Sequence, residues 1–103
     1  MNPESFEWDP RKNAINVAKH GLSFAEVLQA FDRPLLTALD TRFDYGEDRW
    51  QSVGVTNGVP VMLAYTRRNG RIRLISVRKA NRDEIKAYDE TFKDKLGPTP
   101  KDV

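Results

Sequence analysis

Seven basic side chains, Arg67, Arg68, Arg71, Arg73, Arg78, Lys79 and Arg82, fall in a stretch of sequence that contains no acid. All but one are arginine, whose planar guanidinium offers paired donors to phosphate oxygens where lysine offers only a point charge. Tyr65 and Trp50 lie nearby in the chain, and aromatic rings of this kind stack on unpaired bases. The grouping suits RNA or another polyanion. It also fits a simpler role, because charged side chains along a strand edge discourage edge-to-edge aggregation.

The formal net charge of the 103-residue chain is only +2. Its acids are gathered elsewhere, at Asp40, Asp44, Glu47 and Asp48, so the pattern predicts a polarised surface. Cysteine is absent and His20 is the single histidine, which excludes disulfides, thiolate chemistry and a histidine-rich metal cage. The loop DTRFDYGED lacks the alternating ligands and terminal glutamate of a calcium site. Walker, dinucleotide and serine-elbow motifs are missing as well, and no metal or cofactor is expected. Chemistry here must use carboxylates, hydroxyls, amides, lysine or arginine. No apolar window approaches the roughly 18 residues of a membrane span, and MNPESFEWDP does not resemble a secretion signal. A cytoplasmic protein without a membrane partner is the expectation.

The elements that would position these residues can be read in order. Phe6 to Trp8 alternates as a short strand. DPRKNAINVAKHG reads as a helix with Asp9 as N-cap, Pro10 at the first helical position and Gly21 as C-cap, with Ile15, Ala18 and Ala14 facing inward. SFAEVLQAF opens on a capping box, Ser23 with Glu26, and spaces Phe24, Val27, Leu28 and Phe31 for a second short helix that Pro34 ends. LLTALDT, RWQSVGVT, VPVMLAYTRR and RIRLISVRK read as strands, the last three joined by Asn57-Gly58 and Asn69-Gly70 turns into an antiparallel meander. Asn81 caps a final helix through Ile85, Tyr88 and Phe92. The fold class is α+β, an antiparallel sheet of about four to five strands with two N-terminal helices and one C-terminal helix. It forms a single domain over residues 1–96, followed by a loose tail at 97–103.

A two-residue turn at Asn69-Gly70 pairs Arg68 with Arg71, Arg67 with Ile72, Tyr65 with Leu74, Leu63 with Ser76 and Val61 with Arg78. That register puts Arg67 and Arg78 on one face and Arg68, Arg71, Arg73, Val77 and Lys79 on the other. Both faces then carry apolar side chains, so the second should be partly covered by the last helix or a partner. Phe6, Trp8, Phe24 and Phe31 are assigned to the core.

FEWDPRKNAINVAKHGLSF, GEDR and TRRNGRIRLISVRKANRDEIKAYDE, in that order, resemble the BrnT family, toxins of type II toxin–antitoxin systems with a RelE-like fold. The resemblance implies an endoribonuclease that cuts messenger RNA without metal and inhibits translation. It also implies neutralisation by a BrnA-like antitoxin in a hetero-oligomeric complex, with DNA reached only through the antitoxin. Lys19, His20 and Gly21 match the family's KHG segment, with Asn13 and Asn16 before it. Glu47 and Arg49 match its GE-x-R, Arg78, Lys79 and Ala80 its RKA, and Tyr88 its last-helix aromatic. The strand-end arginine falls at Arg68 or Arg67.

Metal-free cleavage needs the 2′-hydroxyl deprotonated, the phosphorane charge stabilised and the leaving 5′-oxygen protonated. Arg78 with Arg67 or Arg68 could stabilise that charge. Imidazole is the side chain best suited to proton transfer near neutral pH, which makes His20 the fourth catalytic candidate; its simpler role is a donor at the helix C-terminus. Glu47 is an alternative base whose simpler role is an ion pair with Arg49. Lys19, Arg49, Tyr65, Arg71, Arg73 and Lys79 are the candidate RNA contacts. The competing reading is a non-enzymatic module that binds an antitoxin or nucleic acid and helps repress its operon. A gyrase-directed toxin is a lesser third.

Overall fold

Two Asn-Gly turns organise the sheet. In the computed structural model, which describes residues 5–96 and side chains to Lys93, Asn57 and Gly58 have φ of 50° and 77°, and Asn69 and Gly70 of 54° and 76°. Positive φ at both central residues matches the twist of the flanking strands. The turns join β3 (Arg49–Thr56), β4 (Val59–Arg68) and β5 (Arg71–Lys79). β2 (Leu36–Leu39) extends the sheet antiparallel to β3, and β1 (Phe6–Trp8) pairs parallel with β5, for an order β1-β5-β4-β3-β2. The sheet is therefore mostly rather than wholly antiparallel, because β1 leads into helices and no hairpin links it to β5. The expected tail at 97–103 lies outside the described residues.

One face is packed along most of its length. Val61, Leu63, Tyr65, Leu74 and Val77 meet Phe6, Phe24, Val27, Leu28 and Ala30, with Trp8 and Phe31 against them. The rings interlock, Phe31 lying 5.0 Å from Phe6 and 5.3 Å from Tyr65, and Trp8 edge-on to Phe24 at 6.0 Å. The second helix is a tight 3₁₀ helix, Ala25–Asp32, preceded by the anticipated box: Ser23 N–H donates to Glu26 Oε1 and Glu26 N–H to Ser23 Oγ. Gly54 lets it approach β3, since a Cβ there would stand 2.6 Å from Leu35 Cδ2 and 3.3 Å from Ala30 Cβ.

The first helix, α1 (Pro10–His20), begins and ends as its caps dictate, Asp9 Oδ1 accepting from Arg11 N–H and Gly21 turning left-handed at φ 71°. Its inner face differs from expectation. Ala14, Ile15 and Ala18 are exposed, and the inward positions are Asn13, Asn16 and His20. β1 pairs with β5 only from Ile72 to Leu74, so α1 meets backbone groups beyond that point and needs amides to satisfy them. Asn16 Oδ1 accepts from Val77 N–H at 3.0 Å while its Nδ2 donates to the Leu22 carbonyl at 2.9 Å. Asn13 Oδ1 accepts from Phe24 N–H at 2.8 Å.

The C-terminal helix, α2 (Arg82–Leu96), opens on a second box, Asn81 and Glu84 exchanging two 2.8 Å hydrogen bonds. It packs Tyr88 and Phe92 on Val53, Val55 and Met62, part of the sheet's second face. Tyr88 Oη donates to the Pro34 carbonyl and ties both ends of the domain together.

The hairpin register holds from Arg68 and Arg71 to Tyr65 and Leu74, then shifts by one residue. Ala64 faces Ser76, Leu63 faces Val77 and Met62 faces Arg78, leaving Ile75 as the extra residue of a β-bulge. The uninterrupted register would have put Val77 on the second face opposite Met62; the bulge turns it into the core and buries it completely. It also carries Arg78 to the face of Arg68, Arg71 and Arg73, correcting the expectation that Arg78 sides with Arg67.

Candidate nucleic-acid interface

Past the rows that α2 covers, the second face continues as two rows of neighbours, Gln51, Ala64 and Ser76, then Arg49, Thr66 and Arg73. Ala64 and Ser76 are small and keep the first row low over β4 and β5, with the longer Gln51 beside them on β3. Arg78 stands at the Met62 row and Arg73 at the Thr66 row, roughly 13 Å apart at about 3.3 Å of rise per residue. The loop of residues 40–48 walls the far end. Thr66 Oγ1 donates to the Asp48 carbonyl at 2.6 Å and holds the loop down, and the Arg49 guanidinium lies over the Tyr45 ring at 4.2 Å. Arg42, in the same loop, is close enough for its like charge to bear on Arg78. The result is a trough with guanidinium groups at both ends and a floor onto which a nucleic-acid backbone can settle.

Every end of the trough is occupied by protein carboxylates. Glu84 takes both arms of Arg78, at 2.8 Å each. Glu47 takes Arg68 at 3.0 and 3.1 Å, and Glu7 takes Arg73 at 2.7 Å. Arg49 Nε is buried without a hydrogen bond, 3.7 Å from Glu47 Oε2. The anticipated Glu47–Arg49 pair is therefore subordinate to Glu47–Arg68. The hydrogen bonds from Arg78 and Arg68 hold the Glu84 and Glu47 carboxyls below the usual glutamate range against the opposing cost of burial. Both glutamates consequently make poor proton acceptors and good place-holders for a phosphate.

The candidate site residues do not converge on one point. Arg68 and Arg78 share the face, yet their β4 positions are Arg68 and Met62, on the order of 20 Å apart along the strand. No single phosphate reaches both. Arg67, paired with Ile72, points to the packed face. Tyr65 is buried, its hydroxyl 2.7 Å from Ser52 Oγ. Arg71 donates to the Phe6 carbonyl at 3.4 Å. Lys79 and Lys19 are exposed. Among the described residues, no hydrogen bond or ion pair joins His20 to a trough arginine. Arg42 and Glu84 were missed by sequence reasoning. Glu84 was accessible to it, because Asn81 and Glu84 have capping-box spacing; Arg42 carried no comparable signal.

The described residues hold no grouping of three or more histidine, aspartate or glutamate side chains placed for a metal. No helix among them is long and apolar enough to cross a membrane. No curated protein matches the chain. The sequence model of one family does, over residues 8–84, and that family is described as ribonuclease toxin, BrnT, of type II toxin–antitoxin system. The matched span contains every trough arginine and ends on Glu84.

Proposed function

The chain belongs to the BrnT family of ribonuclease toxins of type II toxin–antitoxin systems, and from that premise we propose a metal-independent endoribonuclease that cuts messenger RNA. In this reading it acts in the cytoplasm, inhibits translation, and is silenced by a BrnA-type antitoxin. The observation that supports it best is the trough: paired guanidinium donors at both ends of a low floor, each fork filled by a carboxylate that an RNA phosphate can replace.

Arg78 is the proposed catalytic group. A phosphate entering its fork displaces Glu84, and the adjacent 2′-oxygen attacks phosphorus in line. The 2′-O–P bond forms as the P–O5′ bond breaks, the 2′ proton passing to solvent and the 5′-oxygen gaining one from it. Charge gathering on the phosphorane oxygens meets the guanidinium N–H groups that Glu84 has released, with Arg78 still tied to the Lys79 carbonyl. Removing one such donor typically costs about 100-fold in rate. Arg73, Arg68 and Arg49 hold neighbouring phosphates and fix the register. Because Glu47 and Glu84 are weak bases, the site contributes charge stabilisation more than proton abstraction.

Controlled expression in a bacterial host tests this. The parent should arrest growth, a co-expressed antitoxin should restore it, and Arg78→Ala should be harmless at equal soluble yield. A well-expressed Arg78→Ala that still arrests growth would remove Arg78 from the mechanism.

A further inference from the structure

On the opposite face of the same strand ends, Leu35, Thr37, Trp50, Tyr65 and Arg67 line a cleft of about 350 Å³. Arg67 differs from Arg68, Arg73 and Arg78 in one respect. Among the described residues its guanidinium has neither a hydrogen bond nor an ion pair, although it is exposed. Trp50 is half-buried beside it. At the base, Tyr65 Oη, Ser52 Oγ and Thr37 Oγ1 form a chain with 2.7 Å between successive oxygens. Ser52 is fully buried and Thr37 is exposed, so the chain runs from the interior to the mouth. Hydroxyls donate and accept, and either end of such a chain can present a donor or an acceptor outward.

We infer that this cleft binds one unpaired base of the RNA, next to the segment in the trough, and contributes to sequence preference a few nucleotides from the cut. The inference rests on the ribonuclease reading and adds to it where base identity is read. Trp50 supplies the stacking surface, Thr37 Oγ1 meets the base edge, and Arg67 holds that nucleotide's phosphate. Arg67 and Arg68 are consecutive, with Cα atoms about 3.8 Å apart, yet point to opposite faces. A strand rounding the sheet end can therefore leave a phosphate on Arg68 and deliver the next base to the cleft. The cleft is too small for a partner helix, which needs a groove about 10 Å across.

The test uses the full chain and a short single-stranded RNA with 2′-O-methyl sugars, which cannot be cut by 2′-oxygen attack. Binding should quench tryptophan fluorescence. Trp50→Phe should abolish the quench while Trp8, in the core, still reports a folded protein. With cleavable RNA, Arg67→Ala and Thr37→Val should shift the nucleotide preferred a few positions away from the cut, at the end of the trough far from Arg78. Arg67→Ala should also raise KM about tenfold with kcat nearly unchanged, in line with losing one stacked and anchored nucleotide. Trp50 emission that RNA leaves unmoved, or an unchanged cut pattern in both variants, overturns the inference while ribonuclease activity stands. A quench produced by the antitoxin and not by RNA overturns it in favour of a protein contact. A parent that quenches with RNA but never cuts keeps the cleft and removes the ribonuclease reading.

Discussion

The two faces of the sheet are built from the same three long strands and use opposite physics. On the packed face, Leu63, Leu74 and Val77 are enclosed by aromatic and aliphatic side chains, and the strands gain from removing apolar surface from water. On the open face, arginines stand at either end of the row of Ala64 and Ser76, held by partly exposed ion pairs that add little to stability. Arg67 and Arg68 show the difference at one residue's separation, the first without an ion pair among the described residues and the second gripped by Glu47. One face can be read as the scaffold and the other as the working surface, with the cleft at Arg67 as the scaffold's open corner.

That division can be broken by substitution. Leu63→Ala, on the packed face, should cost about 2–5 kcal/mol in urea unfolding; a loss below about 1 kcal/mol would mean that face is not the core. Asn16→Ala should cost about 2 kcal/mol, since it strands Val77 N–H and the Leu22 carbonyl. A neutral result would show that water replaces the amide. Replacing His20 with glutamine should leave cleavage far above the roughly 100-fold reduction that loss of a general base produces. A reduction of that size, with a rate that levels off near neutral pH in the parent, would bring His20 into the site.

The smallest effect concerns acid. Glu84 is held below its ordinary value of 4.5 by Arg78, so it binds its proton less readily folded than unfolded. Its contribution is present above pH 4.5 and fades as the pH falls below that value through the lowered one. Thermal unfolding should show this as a slight loss of stability in the parent, absent in Glu84→Gln. Equal slopes would mean that the pair is not formed in solution.

Local chemistry was legible in the sequence. Asn-Gly pairs have few alternatives to a tight hairpin, and Asp9, Ser23 and Asn81 each sit where orphan helix N–H groups need an acceptor, so element ends were readable. Facing was not. Ile15 and Ala18 form an apolar stripe that α1 leaves exposed, because its neighbour is strand backbone and asparagine amides satisfy that better than methyl groups do. The side of Arg78 depended on a bulge that buries Val77, a tertiary gain invisible in strand alternation. The acid-free basic run misled in the same way. Glu7, Glu47 and Glu84 lie outside the run at Arg67 to Arg82 or within helix chemistry just past it, and only folding lays them on Arg73, Arg68 and Arg78.

Arg78, at the end of the trough, is proposed to stabilise a metal-free transition state. Its most direct test is incubation of the purified chain with a labelled messenger RNA in EDTA at low salt, beside Arg78→Ala. The parent should cleave and the variant should cleave about 100-fold more slowly, with an unfolding free energy that stays within about 1 kcal/mol of the parent's. Equal cleavage by both proteins, or cleavage by the parent that EDTA abolishes, would contradict it.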